Sequence, residues 1–113
     1  MGVKTSTLEN GIGLIVAKGS LIGGDETDEL RRAVAGFVDR KYEKLIIDLS
    51  GVTYVNSTAL GVLVQAHTTY ARKGWHVALT GLNANINSIF VITKLSLVFD
   101  IADTIDEAKK SVG

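Results

Sequence analysis

The chain has 113 residues, of which 46% are hydrophobic and 21% charged, a composition typical of one globular domain with a modest core. Twelve basic residues balance twelve acidic ones, so the chain lacks the basic excess with which nucleic-acid-binding proteins neutralise phosphates. It contains no cysteine, which excludes disulfides, thiolate nucleophiles and cysteine-ligated metals.

The apolar runs of the chain predict neither export nor membrane insertion. The first five residues show no charged leader followed by a long apolar run. All apolar runs are far shorter than the ~20 residues that a membrane helix needs. We therefore expect a cytoplasmic protein, and, because neither a repeat nor a linker interrupts residues 1–113, a single domain.

The N-terminal third predicts a β-hairpin, a loop and a helix. Asn10-Gly11 separates two extended runs, as in a hairpin, and the second run covers residues 12–17. Residues 19–24 are glycine-rich and predict a loop that lacks the Gly-Lys-Ser/Thr of a phosphate-binding loop. The next helix is expected to be capped by Asp25 or Thr27. Its apolar residues fall at helical spacing, at Leu30, Ala33, Val34, Phe37 and Val38.

The rest of the chain alternates strands and helices. A near-continuous apolar run at residues 44–49 predicts a buried strand, followed by a loop through Tyr54. A helix is predicted from residues 56–58 to Lys73, because Gly74 is a helix-stop residue. The remaining predicted elements are a strand at residues 75–80, a helix at 83–94 with Ile86, Ile89, Phe90 and Thr93 on one face, a strand at 98–101, and a helix that Thr104 and Glu107 begin as a capping box.

This order of elements predicts an α/β fold. Strand–helix alternation is typical of a largely parallel sheet with helices packed on it, and the opening hairpin adds an antiparallel edge. We therefore expect a mixed sheet of about five strands with about four helices.

Catalytic and metal-binding patterns are weak in this sequence. His67 and His76 lie nine residues apart with no acidic residue at ligand spacing, so we expect no metal or other cofactor. A triad of Ser57, His67 and Asp48 fails because Ser57 and His67 would lie roughly 15 Å apart along one helix. The sequence therefore favours a binding protein over an enzyme, with a Ser57 hydrolase as a disfavoured alternative.

Residues 45–63, LIIDLSGVTYVNSTALGVL, carry a resemblance to a known family. The STAS family of bacterial anti-sigma-factor antagonists has a buried strand ending in Asp-Leu-Ser, a short loop, and then Asp-Ser-Ser/Thr-Gly/Ala-Leu-Gly at the start of a helix. The resemblance continues through residues 73–74, 77–82, 93–99 and 101–108, and so covers nearly the whole chain. It implies the STAS fold, which agrees with the predicted order of elements.

The resemblance also implies a function. In the STAS antagonists, the serine after the motif aspartate is phosphorylated by a partner kinase that is itself an anti-sigma factor. The unphosphorylated domain binds that partner and frees a sigma factor for transcription, and a phosphatase is expected to reverse the modification. The acceptor would be Ser57, with Thr58 less favoured. The expected partner-binding residues are Asn56, Ser57, Thr58, Ala59, Gly61 and Val62.

One position departs from the family pattern, which usually has aspartate where this chain has Asn56. Asparagine caps a helix as well as aspartate does but carries no charge. This leaves room for an alternative in which the chain is a non-switching STAS subunit of another complex, such as a lipid ABC transporter. A purely structural interpretation also exists, in which Ser57 or Asn56 is no more than the helix cap.

Overall fold

The computed structural model describes residues 2–113 and contains five strands and four helices. The strands are β1 (Val3–Thr7), β2 (Ile12–Leu21), β3 (Lys44–Val55), β4 (His76–Thr80) and β5 (Asp100–Ala102). The helices are α1 (Asp25–Asp39), α2 (Ser57–Arg72), α3 (Ala84–Ile92) and α4 (Ile105–Val112). The strands form one sheet in the order β1-β2-β3-β4-β5, in which only the β1–β2 pair is antiparallel. The predicted mixed sheet is confirmed.

The hairpin forms at the predicted Asn-Gly pair. Asn10 and Gly11 have φ values of 65° and 72°, in the left-handed region that asparagine and glycine tolerate best. They lie in a short 3-10 turn, Glu9–Gly11, rather than in a two-residue loop. The turn aligns Val3 with Ala17 across the antiparallel pair.

The first predicted loop shortens from residues 19–24 to 22–24, and the second is wrong, because the other residues of both segments continue as strands. Residues 19–21 extend β2, and residues 50–55 extend β3. The two extensions pair in parallel from Lys18 beside Gly51 to Leu21 beside Val55, with register shifts on the way. Their glycines and polar residues favoured loops, but backbone pairing and the burial of Leu21 and Val55 in the core outweigh that local preference.

Two apolar clusters cover the two faces of the sheet. The larger joins residues of α1, α2 and α3 to one side of the strands, including Ile15 and Ile47. The smaller joins Ala108 and Val112 of α4 to the other side, where Leu14 and Ile46 lie. Neighbouring strand residues thus point to opposite clusters, as the pleat requires. This packing fixes α2 on the larger cluster, with α1 beside it.

Several element boundaries differ from the sequence prediction. The N-cap of α1 is Gly24, not Asp25 or Thr27. Thr27 is buried, and its Oγ1 accepts a hydrogen bond of 2.9 Å from the Gly23 N–H, which closes the turn before the helix. The last strand starts at Asp100 rather than at residue 98, and Thr93 is exposed. Thr104 caps α4 as predicted, accepting from the Glu107 N–H at 3.1 Å.

Tyr70 of α2 is the one polar side chain within residues 2–113 that is buried without a hydrogen-bond partner for its hydroxyl. Its ring packs edge-on to Trp75 at 5.6 Å between centroids. Burial raises the pKa of Tyr70 from 10.0 to about 12, because the phenolate would lose its hydration. The folded state therefore keeps a proton that the unfolded chain releases above pH 10.

Tyr70→Phe is expected to leave the protein equally stable at neutral pH or more stable, by up to about 1 kcal/mol, because it removes an unpaired buried hydroxyl. The wild-type free energy of unfolding should fall as the pH rises from 10.0 towards about 12, and the variant should lose that part of the fall. Urea denaturation at a series of pH values measures both effects. Parallel pH profiles for the two proteins would contradict this assignment.

Candidate functional site

The candidate site lies where β2 and β3 end and the chain enters α1 and α2. The Asn56 N–H donates to the Leu21 carbonyl at 3.0 Å and so ties the two strand ends together. Both strands are parallel, so their carboxyl ends share one edge of the sheet. Binding sites of parallel α/β sheets commonly form at this edge.

Asn56 is the N-cap of α2. Its backbone is extended, with φ −103°, and its side-chain Oδ1 accepts from the Ala59 N–H at 3.0 Å. The Asn56 carbonyl accepts the first helical bond, from the Leu60 N–H at 3.0 Å. The cap is therefore Asn56, and Ser57 follows it as the first helical residue, exposed and outside the capping bond.

The start of α2 favours an added negative charge. The first turn of α2 has no acidic residue. The first N–H groups of a helix lack intrahelical partners, and the helix dipole places positive charge at this end. A phosphoryl group on Ser57 would add a charge of about −1.5 to −2 at a position that stabilises anions.

The six residues expected to bind a partner do not share one surface. Ser57, Thr58 and Gly61 are exposed, and Asn56 is half-buried. Ala59 is 0% and Val62 6% exposed, and Ala59 packs in the larger apolar cluster. Residues of a helix turn by about 100° each, so Ala59 points into the core, Val62 lies between α2 and α1, and Thr58 and Gly61 face outward. The outward-facing part of the set is therefore Asn56, Ser57, Thr58 and Gly61.

Sequence reasoning missed two apolar side chains at the same strand ends. Ile22 is 56% exposed and Tyr54 is 51% exposed. They directly flank the paired residues Leu21 and Val55. Their sequence signal was a large apolar residue inside a segment that otherwise predicted a polar loop. Exposed side chains of this size are common at protein interfaces.

Two polar contacts hold the strand ends in place. The hydroxyls of Ser20 and Thr53 lie 3.2 Å apart across β2 and β3. The Asn83 amide donates to the Val52 carbonyl at 3.1 Å, while its oxygen accepts from the Ile86 N–H and caps α3. These contacts link the start of α3 to the edge of the sheet that carries Ser57.

The α2 side of the site is poor in charge, whereas the first turn of α1, on the other side, carries Asp25, Glu26 and Asp28. Between Asp48 and Lys94 the chain has only two charged residues, Arg72 and Lys73, and both lie at the opposite end of α2. The exposed residues of α2 before Arg72 are therefore neutral. Depletion of charge is typical of the central part of protein–protein interfaces.

The structure does not bring Ser57, His67 and Asp48 together. The His67 ring packs edge-on to Phe99, with 5.3 Å between centroids. The Asp48 side chain accepts from the Ser50 N–H at 2.9 Å, two residues further along β3. Within residues 2–113, no group of three histidine, aspartate or glutamate side chains is placed to hold a metal ion.

No helix of the described chain combines the length and the apolar character that crossing a membrane requires.

Replacing the cap tests the local structure. Asn56→Ala should lower the free energy of unfolding by about 1 kcal/mol, because the Ala59 N–H loses its acceptor. Asn56→Asp keeps the acceptor and should leave stability unchanged or slightly higher. Urea denaturation measures both, with Ser57→Ala as the control, expected within about 0.5 kcal/mol of wild type. A larger loss for Ser57→Ala than for Asn56→Ala would show that the serine is the cap.

Known proteins with a similar sequence or fold include several anti-sigma factor antagonists. The model of the STAS domain family matches residues 6–108. A protein of Thermotoga neapolitana named as a candidate anti-sigma factor antagonist is 33% identical over 76 residues, which are 67% of each chain. The crystal structure of a candidate antagonist from Thermotoga maritima superposes with a TM-score of 0.89 at 23% identity, covering 97% of this chain and 93% of that one.

The anti-sigma factor antagonist SpoIIAA, in its unphosphorylated form, superposes with a TM-score of 0.76 at 10% identity, covering 96% of this chain and 94% of SpoIIAA. The structure of Bacillus SpoIIAA in its phosphorylated form gives the same TM-score, 0.76, at 13% identity, with 98% and 99% of the two chains covered. These likenesses concern the fold, whereas the family match rests on the sequence from residue 6 to residue 108. This chain belongs to the STAS domain family.

Proposed function

We propose that this chain is a cytoplasmic anti-sigma factor antagonist. In its unphosphorylated form it binds an anti-sigma factor that is also a serine-protein kinase, and so frees a sigma factor for transcription. Phosphorylation at Ser57 releases the partner, and a phosphatase restores binding. The observation that carries this proposal is the exposed Ser57 at the start of α2, beside an Asn56 that already caps the helix.

The separate roles of Asn56, which caps α2, and Ser57, which does not, are suited to a phosphorylation switch. Because Asn56 supplies the capping bond, modification of Ser57 removes no hydrogen bond that the start of α2 needs. The helix end tolerates the phosphate, so the domain stays folded. An apolar or acidic partner surface in contact with Ser57 would not tolerate it, because burying an unpaired charge is costly. One modification then changes binding while the fold is preserved.

The surroundings of Ser57 fit a protein partner. Ile22 and Tyr54 offer apolar contact area at the strand ends, and the outward face of α2 carries no charge before Arg72. Such a surface is suited to a partner that covers it and excludes water. The docking surface we propose consists of Asn56, Ser57, Thr58, Gly61 and these two apolar side chains.

Asn56 gives the proposed switch a specific property. The usual aspartate of the family would place a carboxylate beside the acceptor hydroxyl, where it would assist the kinase reaction, and the neutral amide cannot accept a proton in that way. We therefore expect slower phosphorylation than in an Asn56→Asp variant. Initial rates of phosphate incorporation for the two proteins, with the same kinase, measure this difference, and equal rates would show that the carboxylate is dispensable.

The proposal is tested by intact mass spectrometry after incubation with ATP and each anti-sigma factor kinase of the source organism. We expect one added phosphate that maps to Ser57, retained in Thr58→Val and lost in Ser57→Ala. A phosphate on Thr58 instead would show that Thr58, and not Ser57, is the acceptor. Tight partner binding without phosphorylation would favour the alternative, a non-switching STAS subunit of another complex such as a lipid ABC transporter.

A further inference from the structure

A groove with a volume of about 410 Å³ runs between α1 and α2. Its floor is apolar and consists of Val34, Val38, Val62 and Ala66. The α2 side of its rim is neutral, with Thr58, Gly61, Gln65 and Thr69. The α1 side carries two charges of opposite sign, Arg31 and Asp39.

Gly61 is the residue of this groove that the fold does not explain. It lies inside α2, where glycine is destabilising relative to alanine. Its backbone has no positive φ, and a Cβ built on it would meet no atom within 4 Å. Neither backbone conformation nor internal packing therefore requires glycine at this position. The free space is on the outside of the molecule, at the groove.

We infer that this groove receives a helix of the anti-sigma factor partner, packed through aliphatic side chains, and that Gly61 allows its close approach. The inference rests on the proposed function, and it names the partner's chemistry. Thr58 lines the groove and directly follows Ser57. A partner whose active site reaches the Ser57 hydroxyl therefore covers this end of the groove.

The two rim charges give the partner helix an orientation. Arg31 and Asp39 are eight residues apart on α1, roughly 12 Å along its axis, and mark the two ends of the groove. Charge complementarity places an acidic group of the partner near Arg31 and a basic group near Asp39. Arg31 pairs with Asp28 at 2.7 Å in the free protein. Both side chains are about half exposed, so Arg31 can leave Asp28 and pair with an acidic group of the partner at little cost in free energy.

The test fills the groove without disturbing the fold. Gly61→Leu places a side chain into open space and should weaken binding of the purified kinase partner at least tenfold. Gly36→Leu is the matched control, because Gly36 is also inside a helix, has room for a Cβ and does not line the groove. We expect the control to bind within twofold of wild type. Thermal unfolding of both variants confirms that each is folded.

The charges are tested by reversal. Arg31→Glu and Asp39→Arg should each weaken binding about threefold or more at low ionic strength, with smaller losses at high salt. Unchanged affinity in both would overturn the orientation and chemistry assigned to the partner helix.

The outcomes separate this inference from the proposed function. If the partner binds wild type and is lost with Ser57→Asp, but Gly61→Leu binds normally, the proposed function stands and the groove assignment is overturned. If Gly61→Leu instead abolishes self-association of this chain without changing partner affinity, the occupant is a second copy, which also overturns the assignment. If no kinase partner binds wild type, the proposed function itself fails.

Discussion

Ser57→Asp is expected to weaken partner binding by at least about 100-fold, a loss of roughly 2.7 kcal/mol. The substituted carboxylate lies at the position where we propose that the partner covers the start of α2. A buried charge without a counter-ion commonly costs several kcal/mol at an interface. Isothermal titration calorimetry with the purified anti-sigma factor measures the change.

The same substitution should not damage the fold. Ser57 is exposed and takes no part in the Asn56 cap, and an acidic residue in the first turn of a helix is favourable by about 0.3–1 kcal/mol. Ser57→Ala removes the hydroxyl without adding charge and should bind within about threefold of wild type. Equal affinities for Ser57→Asp and wild type would refute the switch, and a destabilised Ser57→Ala would favour a structural role for the serine.

Gly81→Ala is expected to lower the free energy of unfolding by about 2–5 kcal/mol, the largest stability effect we predict. Gly81 follows β4 with φ 78°, which is strained for any residue with a Cβ. A Cβ there would also lie 2.6 Å from the Ser50 nitrogen and 2.8 Å from its Cα. Because these are backbone atoms of β3, the steric clash can be removed only if the strand moves.

The matched control for this prediction is Gly74→Ala. Gly74 has a similar φ of 72°, but a Cβ there would meet no atom within 4 Å. This variant should lose only the left-handed penalty of about 1–2 kcal/mol. Urea denaturation of both proteins measures the difference, which isolates the contact with Ser50. Equal losses for the two variants would mean that the close approach of Gly81 to β3 has no energetic consequence.

The Gly81 contact matters to the site because it lies on the part of β3 that leads to Ser57. Ser50 is held between Gly81 and the Asp48 carboxylate, which accepts from its N–H at 2.9 Å. Beyond Ser50 the strand continues to Val55, which directly precedes Asn56, the N-cap of α2. A shift of Ser50 would therefore be transmitted towards the start of α2.

Features that depend on neighbours in sequence could be predicted. Asn10-Gly11 specifies a hairpin because both residues tolerate positive φ. Asn56 and Thr104 cap helices because their side chains reach an N–H three residues ahead. The position of Ser57 at the start of α2 follows from that cap. Local chemistry thus predicted that Ser57 lies at the start of α2.

Features that depend on distant partners could not be predicted. The extensions of β2 and β3 form because the two segments pair with each other and bury Leu21 and Val55. Residues 19–21 carry no strand pattern of their own, and the β-branched and aromatic residues at 52–55 follow Ser50-Gly51, a pair that favours a turn. The burial of Ala59 and Val62 is set by how α2 lies on the sheet, and the groove by how α1 lies beside α2. These relations arise only on folding.

The most direct test of the central claim follows a labelled sigma factor bound to its anti-sigma factor by fluorescence anisotropy. Addition of this chain in the presence of ADP, which does not support phosphorylation, should release the sigma factor and lower the anisotropy. The same chain, after phosphorylation and purification, should leave the complex intact. Failure of the unphosphorylated chain to release any sigma factor, at concentrations that saturate partner binding, would contradict the proposed function.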